Sequence, residues 1–348
     1  MTRRTTTVTS AVLLLVALLC VVLLLPVPYV SLQPGPTLDA LGEQGGDPLI
    51  SIEGDVRTYD DGGELNLVTV SVTNPDVNVR LPEALDAWFD RGAALVPKDL
   101  VYPEDVTTEE STAQTQQAMT GSQESSRVAG LLAAGYPPLV RVAVVDPDGP
   151  AEDLLRAGDV ITAVDGNSVE TPEEVVDAVT QRSPGDPVDL RIQRDGSARS
   201  VTVTTTASDD EPDAARIGVQ VAQDVDADLE VDINISRQIG GPSAGMIFAL
   251  AIYDKLTAGA LTGGVTVAGT GEITAEGEVG PIGGIQQKVV GAAENGATVF
   301  LVPADNCAEA LDGEVDADLL LVRVETLEDA ISSLEALADD PDAEVPTC

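Results

Sequence analysis

A continuous apolar run opens the chain, before any alternating pattern begins. Residues 11–30 read AVLLLVALLCVVLLLPVPYV and contain no charge. A helix of twenty residues spans about 30 Å, which matches the hydrocarbon core of a bilayer. Arg3 and Arg4 precede the run and the first charges after it are acidic, so the positive-inside rule predicts a cytoplasmic segment at 1–10 and an extracytoplasmic remainder. We therefore predict a single-pass signal anchor at 11–30 in the cell membrane, with a cleaved signal peptide as the alternative.

Shorter alternating and helix-like patterns follow. Residues 49–54 (LISIEG) and 64–72 (ELNLVTVSV) have the pattern of strands, and the turn residues at 61–63 separate them. Residues 107–134 are predicted as a helix with Thr108 as its N-cap. We expect the segment 31–135 to add these strands and this helix to the domain that ends the chain.

Residues 136–207 combine a strand, a helix and a hairpin. LVRVAVV predicts the strand, residues 173–182 the helix, and Asp195-Gly196 the hairpin turn. Within this block Gly158-Asp159-Val160-Ile161 and Val164-Asp165-Gly166, with Val169 after them, resemble the GDxI…xGxxV pattern of bacterial HtrA-type PDZ domains. The resemblance implies a PDZ-like β-rich module that captures extended peptide C-termini at a sheet edge.

The carboxylate cradle of such a module is expected near Gly135 and Tyr136, just before its first strand. Pro137 and Pro138 follow these residues, and neither has an N–H to offer. Peptide capture and a PDZ-shaped spacer therefore remain as alternatives.

Acidic residues dominate the segment after this module. Residues 208–216 have the composition of a linker. From Asp224 to Ile233 acidic and apolar residues alternate, which predicts one strand with a solvated acidic face. A calcium site is disfavoured because the glycine spacing of an EF-hand loop is absent.

Composition restricts the chemistry available to the chain. The 348 residues contain no histidine, which excludes Ser-His-Asp and Cys-His catalysis and histidine-bound zinc. We expect no cofactor and no metal.

The net charge of the chain is strongly negative. Lysine and arginine total 18 against 59 aspartates and glutamates, a net charge of −41, so nucleic acid is not expected as a partner. The hydrophobic fraction of 43% allows a sizeable core.

A glycine-rich turn presents the candidate nucleophile. In GGPSAG, residues 240–245, the first three residues prevent regular structure and a densely apolar segment follows. We predict that Gly241, Pro242 and Ala244 form a loop that holds Ser243 at a helix N-terminus, where free N–H groups and the helix dipole favour negative charge. GPSAG also matches the G-x-S-x-G pattern of α/β-hydrolases, but their mechanism requires a histidine.

The base for such a serine must be a lysine whose pKa is lowered by burial. The chain has three lysines. Lys98 lies in a polar segment beside Asp99, and Lys255 lies about three turns, or about 18 Å, along the helix that follows Ser243. Lys288 has apolar neighbours in a predicted helix after Gly283-Gly284, and is therefore the candidate base.

Ordered motifs over residues 240–306 resemble the proteolytic domain of Lon proteases. Besides GPSAG they are Thr270-Gly271-Glu272-Ile273, Gly277, Val279, Pro281-Ile282-Gly283-Gly284, Lys288 and Val302-Pro303-Ala304-Asp305-Asn306. The resemblance implies an α/β (α+β) domain in which Ser243 is the nucleophile, Lys288 the general base and Thr270 a hydrogen-bonding partner of the lysine. Taken singly, the serine would be a helix cap, the lysine a surface residue and the threonine part of a turn.

The order of the segments is similar to that of actinobacterial membrane-anchored, PDZ-containing, Lon-like serine proteases. In this interpretation the protease domain covers 217–348. The resemblance implies an ATP-independent endopeptidase that acts on extracytoplasmic proteins and peptides, and it also implies a homo-oligomer, a hexamer in Lon relatives. No ATP is expected, because none of the lysines is followed by the serine or threonine of a P-loop. A catalytically inactive PDZ/Lon-fold scaffold or adaptor is the alternative.

The cysteines fit an extracytoplasmic location. Cys20 lies in the apolar run, and we predict a disulfide between Cys307 and Cys348 that anchors the C-terminal tail. Two unrelated free thiols are the alternative.

Overall fold

The computed structural model describes residues 3–60, 62–74, 77–90, 92–103, 106–208, 211–313 and 318–348, with side chains from residue 7 onward. The chain divides into two compact units. Unit 1 comprises Met1–Ser51, Thr58–Ser126 and Val231–Cys348, and unit 2 comprises Ile52–Arg57 and Arg127–Glu230. In sequence, unit 2 is therefore inserted into unit 1.

The helices and strands have the following bounds. The helices are α1 (Arg3–Leu24), α2 (Leu81–Phe89), α3 (Lys98–Val101), α4 (Thr108–Ala133), α5 (Pro172–Thr180), α6 (Gly245–Leu256), α7 (Ile285–Glu294), α8 (Cys307–Asp312) and α9 (Leu327–Asp339), with a 3₁₀ turn at Ala304–Asn306. The strands are β1 (Tyr29–Asp39), β2 (Glu43–Gln44), β3 (Asp47–Pro48), β4 (Ile50–Gly54), β5 (Glu64–Val72), β6 (Ala94–Pro97), β7 (Pro138–Val145), β8 (Val160–Val164), β9 (Asn167–Ser168), β10 (Pro187–Arg194), β11 (Ser197–Thr204), β12 (Thr206–Ala207), β13 (Ala215–Arg216), β14 (Val219–Val225), β15 (Leu229–Ile233), β16 (Thr266–Gly269), β17 (Glu272–Ile273), β18 (Val279–Gly280), β19 (Val299–Pro303) and β20 (Leu320–Val324).

The N-terminal apolar run forms helix α1. Among the described residues, Thr7–Leu24 is the one helical stretch long and apolar enough to cross a membrane. The predicted end of the anchor at residue 30 is wrong, because Pro26 and Pro28 cannot continue a helix and Val30 is buried, 1% exposed, in strand β1. The helix also begins at Arg3, so residues 3–10 belong to it.

Unit 1 is built around a six-stranded mixed sheet in the order β20-β19-β16-β5-β1-β6. Strands β5, β16, β19 and β20 are parallel to one another, and β1 is antiparallel to β5 and β6. The parallel strands are rich in apolar residues because helices cover such sheets, and every residue of β19 is buried. Helix α6 is apolar on all sides and is buried from Gly245 to Ile252.

Unit 2 is an antiparallel sheet in the order β11-β10-β8-β7-β14. Helix α5 begins with a capping box, in which Thr171 accepts from the Glu174 amide, and it buries Val175 and Val179. The β10–β11 hairpin turns at Asp195 and Gly196, with φ of 50° and 71°, as a two-residue loop with two left-handed residues requires.

Three details of the described chain differ from the sequence predictions. Strand β14 pairs with β7 in unit 2, whereas the domain boundary predicted at 217 places this strand with the C-terminal domain. The single acidic strand predicted there is instead two strands, β14 and β15. The cap of α4 is Thr107, because its hydroxyl accepts from the Glu110 amide and the Glu110 carboxylate accepts from the Thr107 amide.

Asp224 also departs from the predicted solvated face. It is buried and forms ion pairs with Arg141 and, at 2.9 Å, with Arg127. Burial alone would raise the pKa of this carboxyl, but the Val225 amide and the two guanidinium groups together hold the pKa below its usual range. Of the predicted turn at 61–63 and linker at 208–216, Asp61, Asp209 and Asp210 lie outside the described residues.

The C-terminal tail is fastened to the edge of the unit 1 sheet. Cys307, the first residue of α8, is joined to Cys348 by a disulfide. The Cys348 amide donates to Leu321 O at 3.3 Å and the Arg323 amide donates to Pro346 O at 2.9 Å. The tail thus lies along β20.

Candidate active site

Ser243 lies in the turn that leads into α6. Gly241 has a left-handed φ of 89°, which few residues other than glycine tolerate. Ala244 is the N-cap and α6 begins at Gly245. A Cβ on Gly245 would lie 2.7 Å from Ser122 Oγ and 2.9 Å from Ile273 Cγ2, so glycine is required where the helix starts.

Polar side chains of α4 hold this turn in place. Ser122 Oγ donates to Pro242 O at 2.9 Å, and Ser126 Oγ donates to Gly245 O at 2.8 Å. The Gly241 amide donates to Thr115 O at 3.1 Å. No sequence motif predicted a role for these residues, although the run of small polar residues in the predicted helix was the available signal.

Lys288 lies in the first turns of α7 and is 3% exposed. Its Nζ donates to Thr270 Oγ1 at 2.9 Å. Burial lowers the pKa of the amine from 10.5 to about 8, and the nearby Glu272 carboxylate partly opposes that shift. About a tenth of the amine is therefore uncharged at pH 7 and able to accept a proton, far more than for a lysine with the usual pKa.

Thr270 links the lysine to the serine turn. It follows β16, is fully buried, and its hydroxyl donates to Ser243 O at 2.9 Å while accepting from Lys288. The Gly271 amide donates to the same Ser243 carbonyl at 2.9 Å. These bonds fix the backbone of Ser243 relative to the lysine amine.

Ser243 and Lys288 line one cavity of about 670 Å³ in unit 1. Residues 68–72 of β5, Met119 and the loop 238–241 also line it. In the described chain no direct hydrogen bond joins the Ser243 hydroxyl to the lysine amine; the amine bonds instead to Thr270. Catalytic hydrogen bonds commonly tighten only when substrate is bound.

Two amides in the turn are suited to hold a developing oxyanion. Pro242 has no N–H, and the Gly241 amide already donates to Thr115, so neither residue supplies a donor. Among the described residues, the amides of Ser243 and Ala244 have no protein acceptor. Both lie at the start of α6, where the helix dipole favours negative charge.

Asn306 fixes the segment that leads into α7. Its Oδ1 accepts from the Ile282 amide at 2.8 Å and its Nδ2 donates to Ile282 O at 2.9 Å. Gly284 then caps α7 with a left-handed φ of 70°. The Pro-x-x-Asn and Pro-Ile-Gly-Gly motifs thereby set the position of Lys288.

The other lysines lie elsewhere. Lys255 is in the last turn of α6 and its Nζ donates to Leu41 O at 3.4 Å, while Lys98 begins α3. Neither lines the cavity that contains Ser243. Among the described residues no group of three or more cysteine or acidic side chains is arranged to hold a metal ion.

Unit 2 has a groove of its own, of about 490 Å³, between α5 and β14. Its apolar lining includes Val175, Val176 and Val179 from α5 and Val219 and Val221 from β14. Arg216 and Asp146, 3.5 Å apart, lie at the groove. Among the strands that the structure describes, β14 pairs only with β7 and lies at the edge of the sheet.

The predicted position of the carboxylate cradle, near Gly135 and Tyr136, is wrong. Strand β7, which follows those residues, is paired on both sides, with β8 and β14, and a strand paired on both sides cannot accept another. The turn before the free edge is at residues 216–218, where Gly218 has a φ of 72°.

Two family models match the chain. Residues 106–205 match the PDZ domain model, and residues 217–337 match the Lon protease (S16) C-terminal proteolytic domain model. The boundary between the two matches precedes β14, although β14 pairs within the sheet of unit 2.

The chain is also locally similar to individual proteins. The chain is 42% identical over 94 residues to Lon protease 1 of Sorangium cellulosum, covering 26% of this chain and 11% of that protein. It is 45% identical over 64 residues to a probable periplasmic serine endoprotease DegP-like of Halomonas elongata, covering 18% of this chain and 14% of that protein. The PDZ domain of the SdrC-like protein of Listeria monocytogenes is 30% identical, with a TM-score of 0.22, covering 24% of this chain and 85% of that domain.

These matches are local, because the chain spans only 11% and 14% of the lengths of the two curated relatives. Within those limits, the chain carries a PDZ domain followed by a Lon-type (S16) C-terminal proteolytic domain.

Proposed function

We propose that the protein is a membrane-anchored, ATP-independent serine endopeptidase that uses a Ser243–Lys288 dyad on the extracytoplasmic side of the membrane. The observation that carries the proposal is a buried lysine with a pKa of about 8 that lines the same cavity as Ser243. Thr270 bonds both to that amine and to the Ser243 backbone. A lysine that served only to stabilise the fold would gain nothing from such burial.

The proposed reaction is acyl transfer through Ser243. The uncharged Lys288 amine accepts the hydroxyl proton while Ser243 Oγ attacks the carbonyl carbon of a peptide bond. The amides of Ser243 and Ala244 stabilise the oxyanion. The Lys288 ammonium then gives its proton to the leaving amine as the peptide C–N bond breaks. In the second half, water attacks the acyl carbon and loses a proton to Lys288, which returns it to Ser243 Oγ as the ester bond breaks.

The anchor and its orientation rest on α1. Its apolar length suits a bilayer span, and the arginines at residues 3 and 4 favour a cytoplasmic N-terminus. Unit 2 and the rest of unit 1 follow α1 in sequence, and the proposed peptidase therefore acts on extracytoplasmic proteins.

The groove of unit 2 is proposed to bind an extended segment of a substrate or partner. A free strand edge supplies main-chain hydrogen bonds, and the valines of α5 accept an apolar side chain. The turn at residues 216–218 is the proposed cradle for a terminal carboxylate, in place of the one near Gly135.

Substitution of the dyad tests the proposal. Ser243→Ala and Lys288→Met should each lower cleavage of a fluorogenic protein substrate by at least about 10³-fold, and Ser243→Ala should abolish labelling by a fluorophosphonate. Lys255→Met is the matched control and should retain activity, since that lysine lies at the far end of α6. Folded dyad variants that retain cleavage would contradict the dyad, and a folded wild-type chain without cleavage or labelling would favour the inactive scaffold.

A further inference from the structure

Two aromatic side chains on α2, Trp88 and Phe89, are far more exposed than the other two phenylalanines of the chain. The chain has one tryptophan and three phenylalanines. Phe248 and Phe300 are fully buried, whereas Trp88 is 74% exposed and Phe89 is 81% exposed. Neighbouring exposed aromatics of this size mark a surface that contacts something other than water.

The exposed side chains form one face of the helix. Leu85, Trp88 and Phe89 are spaced i, i+3 and i+4, so they are neighbours on the helix surface. Ala84 and Ala87, on the other side of α2, are buried against unit 1. We call Leu85, Trp88 and Phe89 the juxtamembrane face.

Hydrogen bonds hold α2 at the end of the apolar helix. The Leu81 amide donates to Leu25 O at 3.3 Å, and the Val27 amide donates to Val79 O at 2.9 Å. Leu25 directly follows α1. Trp88 is therefore about 10 Å along the axis of α2 from the point where the proposed membrane span ends.

A second element is attached to the same connecting segment. The Lys98 amide, at the start of α3, donates to Pro28 O at 3.0 Å. Leu100 of this short helix is also exposed. Exposed apolar side chains are thus present on both α2 and α3, the two helices that are hydrogen-bonded to the segment just after α1.

We propose that the juxtamembrane face inserts into the headgroup region of the bilayer that α1 crosses, so that unit 1 is attached to the membrane at two places. The inference rests on the proposed membrane anchor. Tryptophan and phenylalanine favour the interface between hydrocarbon and water. Glu83, Asp86 and Asp90 lie on or next to α2, so the partner surface is zwitterionic lipid, since anionic headgroups would repel these carboxylates.

Trp88 is itself the probe for the test, because it is the only tryptophan of the chain. The full chain would be reconstituted into phosphatidylcholine vesicles that carry a nitroxide quencher either near the headgroup or deep in the acyl chain. We expect the shallow quencher to reduce Trp88 emission at least about twofold, with a smaller effect of the deep quencher. Aqueous acrylamide should quench the emission weakly, and replacing part of the lipid by phosphatidylglycerol should weaken the lipid quenching.

A double variant, Leu85→Asp with Phe89→Asp, should lose most of the lipid quenching while it retains fluorophosphonate labelling of Ser243. Leu311→Asp is the matched control: Leu311 is exposed on α8, which contacts β19 rather than the elements next to α1. This control should show the wild-type quenching. The wild-type measurement decides the proposal even where the double variant does not fold.

Three results would overturn the inference. If the protein floats with the vesicles but acrylamide quenches Trp88 fully and lipid quenchers do not, the face is free in water while the anchor stands. If Trp88 is shielded from both quenchers and cross-links between copies form at α2, the face is an interface between chains. If the folded protein does not float with the vesicles, the anchor and the face both fail.

Discussion

Lys288 is held in its position at a cost in folding free energy. A shift of its pKa from 10.5 to about 8 corresponds to about 3 kcal/mol, because each unit is worth about 1.4 kcal/mol. Between these two pH values the unfolded chain binds a proton at this amine and the folded chain does not. The destabilisation caused by burying Lys288 therefore decreases as pH rises through that interval. At neutral pH the penalty is present in full, which a purely structural residue would not require.

The pH dependence of activity should report this amine. Since only the uncharged amine accepts a proton, kcat/KM should rise with pH to a plateau, with a midpoint near 8. Glu272→Gln removes the carboxylate that favours the ammonium form, so the midpoint should move to lower pH and activity at pH 7 should increase up to about threefold.

Glu276→Gln is the matched control for this change, because Glu276 is exposed in the same β17–β18 hairpin and does not shift the pKa of Lys288. Its pH profile should coincide with that of the wild type. A rising limb near pH 10.5, or one unmoved by Glu272→Gln, would show that Lys288 is not the base.

At the scale of elements, the sequence predicted the bounds of an element well where its apolar and polar residues follow a regular period. Strand β5 has the predicted bounds of 64–72, since its alternation and flanking glycines leave little choice. The end of α1 and the packing of β14 differ from the prediction, because both depend on distant partners: β1 begins at Tyr29 by pairing with β6, and β14 pairs with β7. The hydrogen bonds from Ser122 and Ser126 of α4 to the serine turn also join residues that are distant in sequence, and no spacing in the sequence predicts them.

The disulfide acts at this scale, on the tail and β20. It closes a loop with a sequence separation of 41, for which the loss of chain entropy in the unfolded state is worth about 4 kcal/mol. Cys348→Ser should therefore lower the free energy of unfolding by an amount of that order, measured by denaturant titration under oxidising conditions. Cys20→Ser is the control and should leave the free energy of unfolding unchanged, because Cys20 is a free thiol in α1.

Peptide mapping under non-reducing conditions provides an independent check on that prediction. It should find Cys307 and Cys348 in one cross-linked peptide. Two free thiols in the folded protein, or a Cys348→Ser variant as stable as the wild type, would contradict a stabilising role for the bond.

At the scale of the molecule, the sequence motifs and the compact units divide the chain differently. Every residue proposed for the chemistry lies in unit 1, although the segments of that unit are separated by the whole of residues 127–230. The ordered motifs at 240–306 were sufficient to identify the candidate residues. The sequence also led us to expect that segment 31–135 adds its strands and helix to this domain, and β1, β5 and the first part of α4 lie in unit 1. The order in which these strands pair is fixed only by the folded sheet.

Removal of the inserted unit tests this division. Gln123 Nε2 donates to Ile233 O at 3.3 Å within unit 1, so the chain leaves and re-enters this unit at points that a flexible linker of about six residues, with a reach of roughly 14 Å, can join. We expect a variant in which such a Gly/Ser linker replaces residues 127–230 to fold and to retain fluorophosphonate labelling of Ser243. It should cleave a short unstructured peptide at a rate within about threefold of the full chain, because the cavity and its polar network lie within unit 1.

Cleavage of proteins that are held through the unit 2 groove should fall much further in this variant. Val176→Glu in the full chain, which places a charge in that groove, should reproduce this selective loss. A cooperatively folded deletion variant that fails to label at Ser243 would show that the site depends on unit 2, and equal losses on peptide and protein would show that the groove does not select substrates.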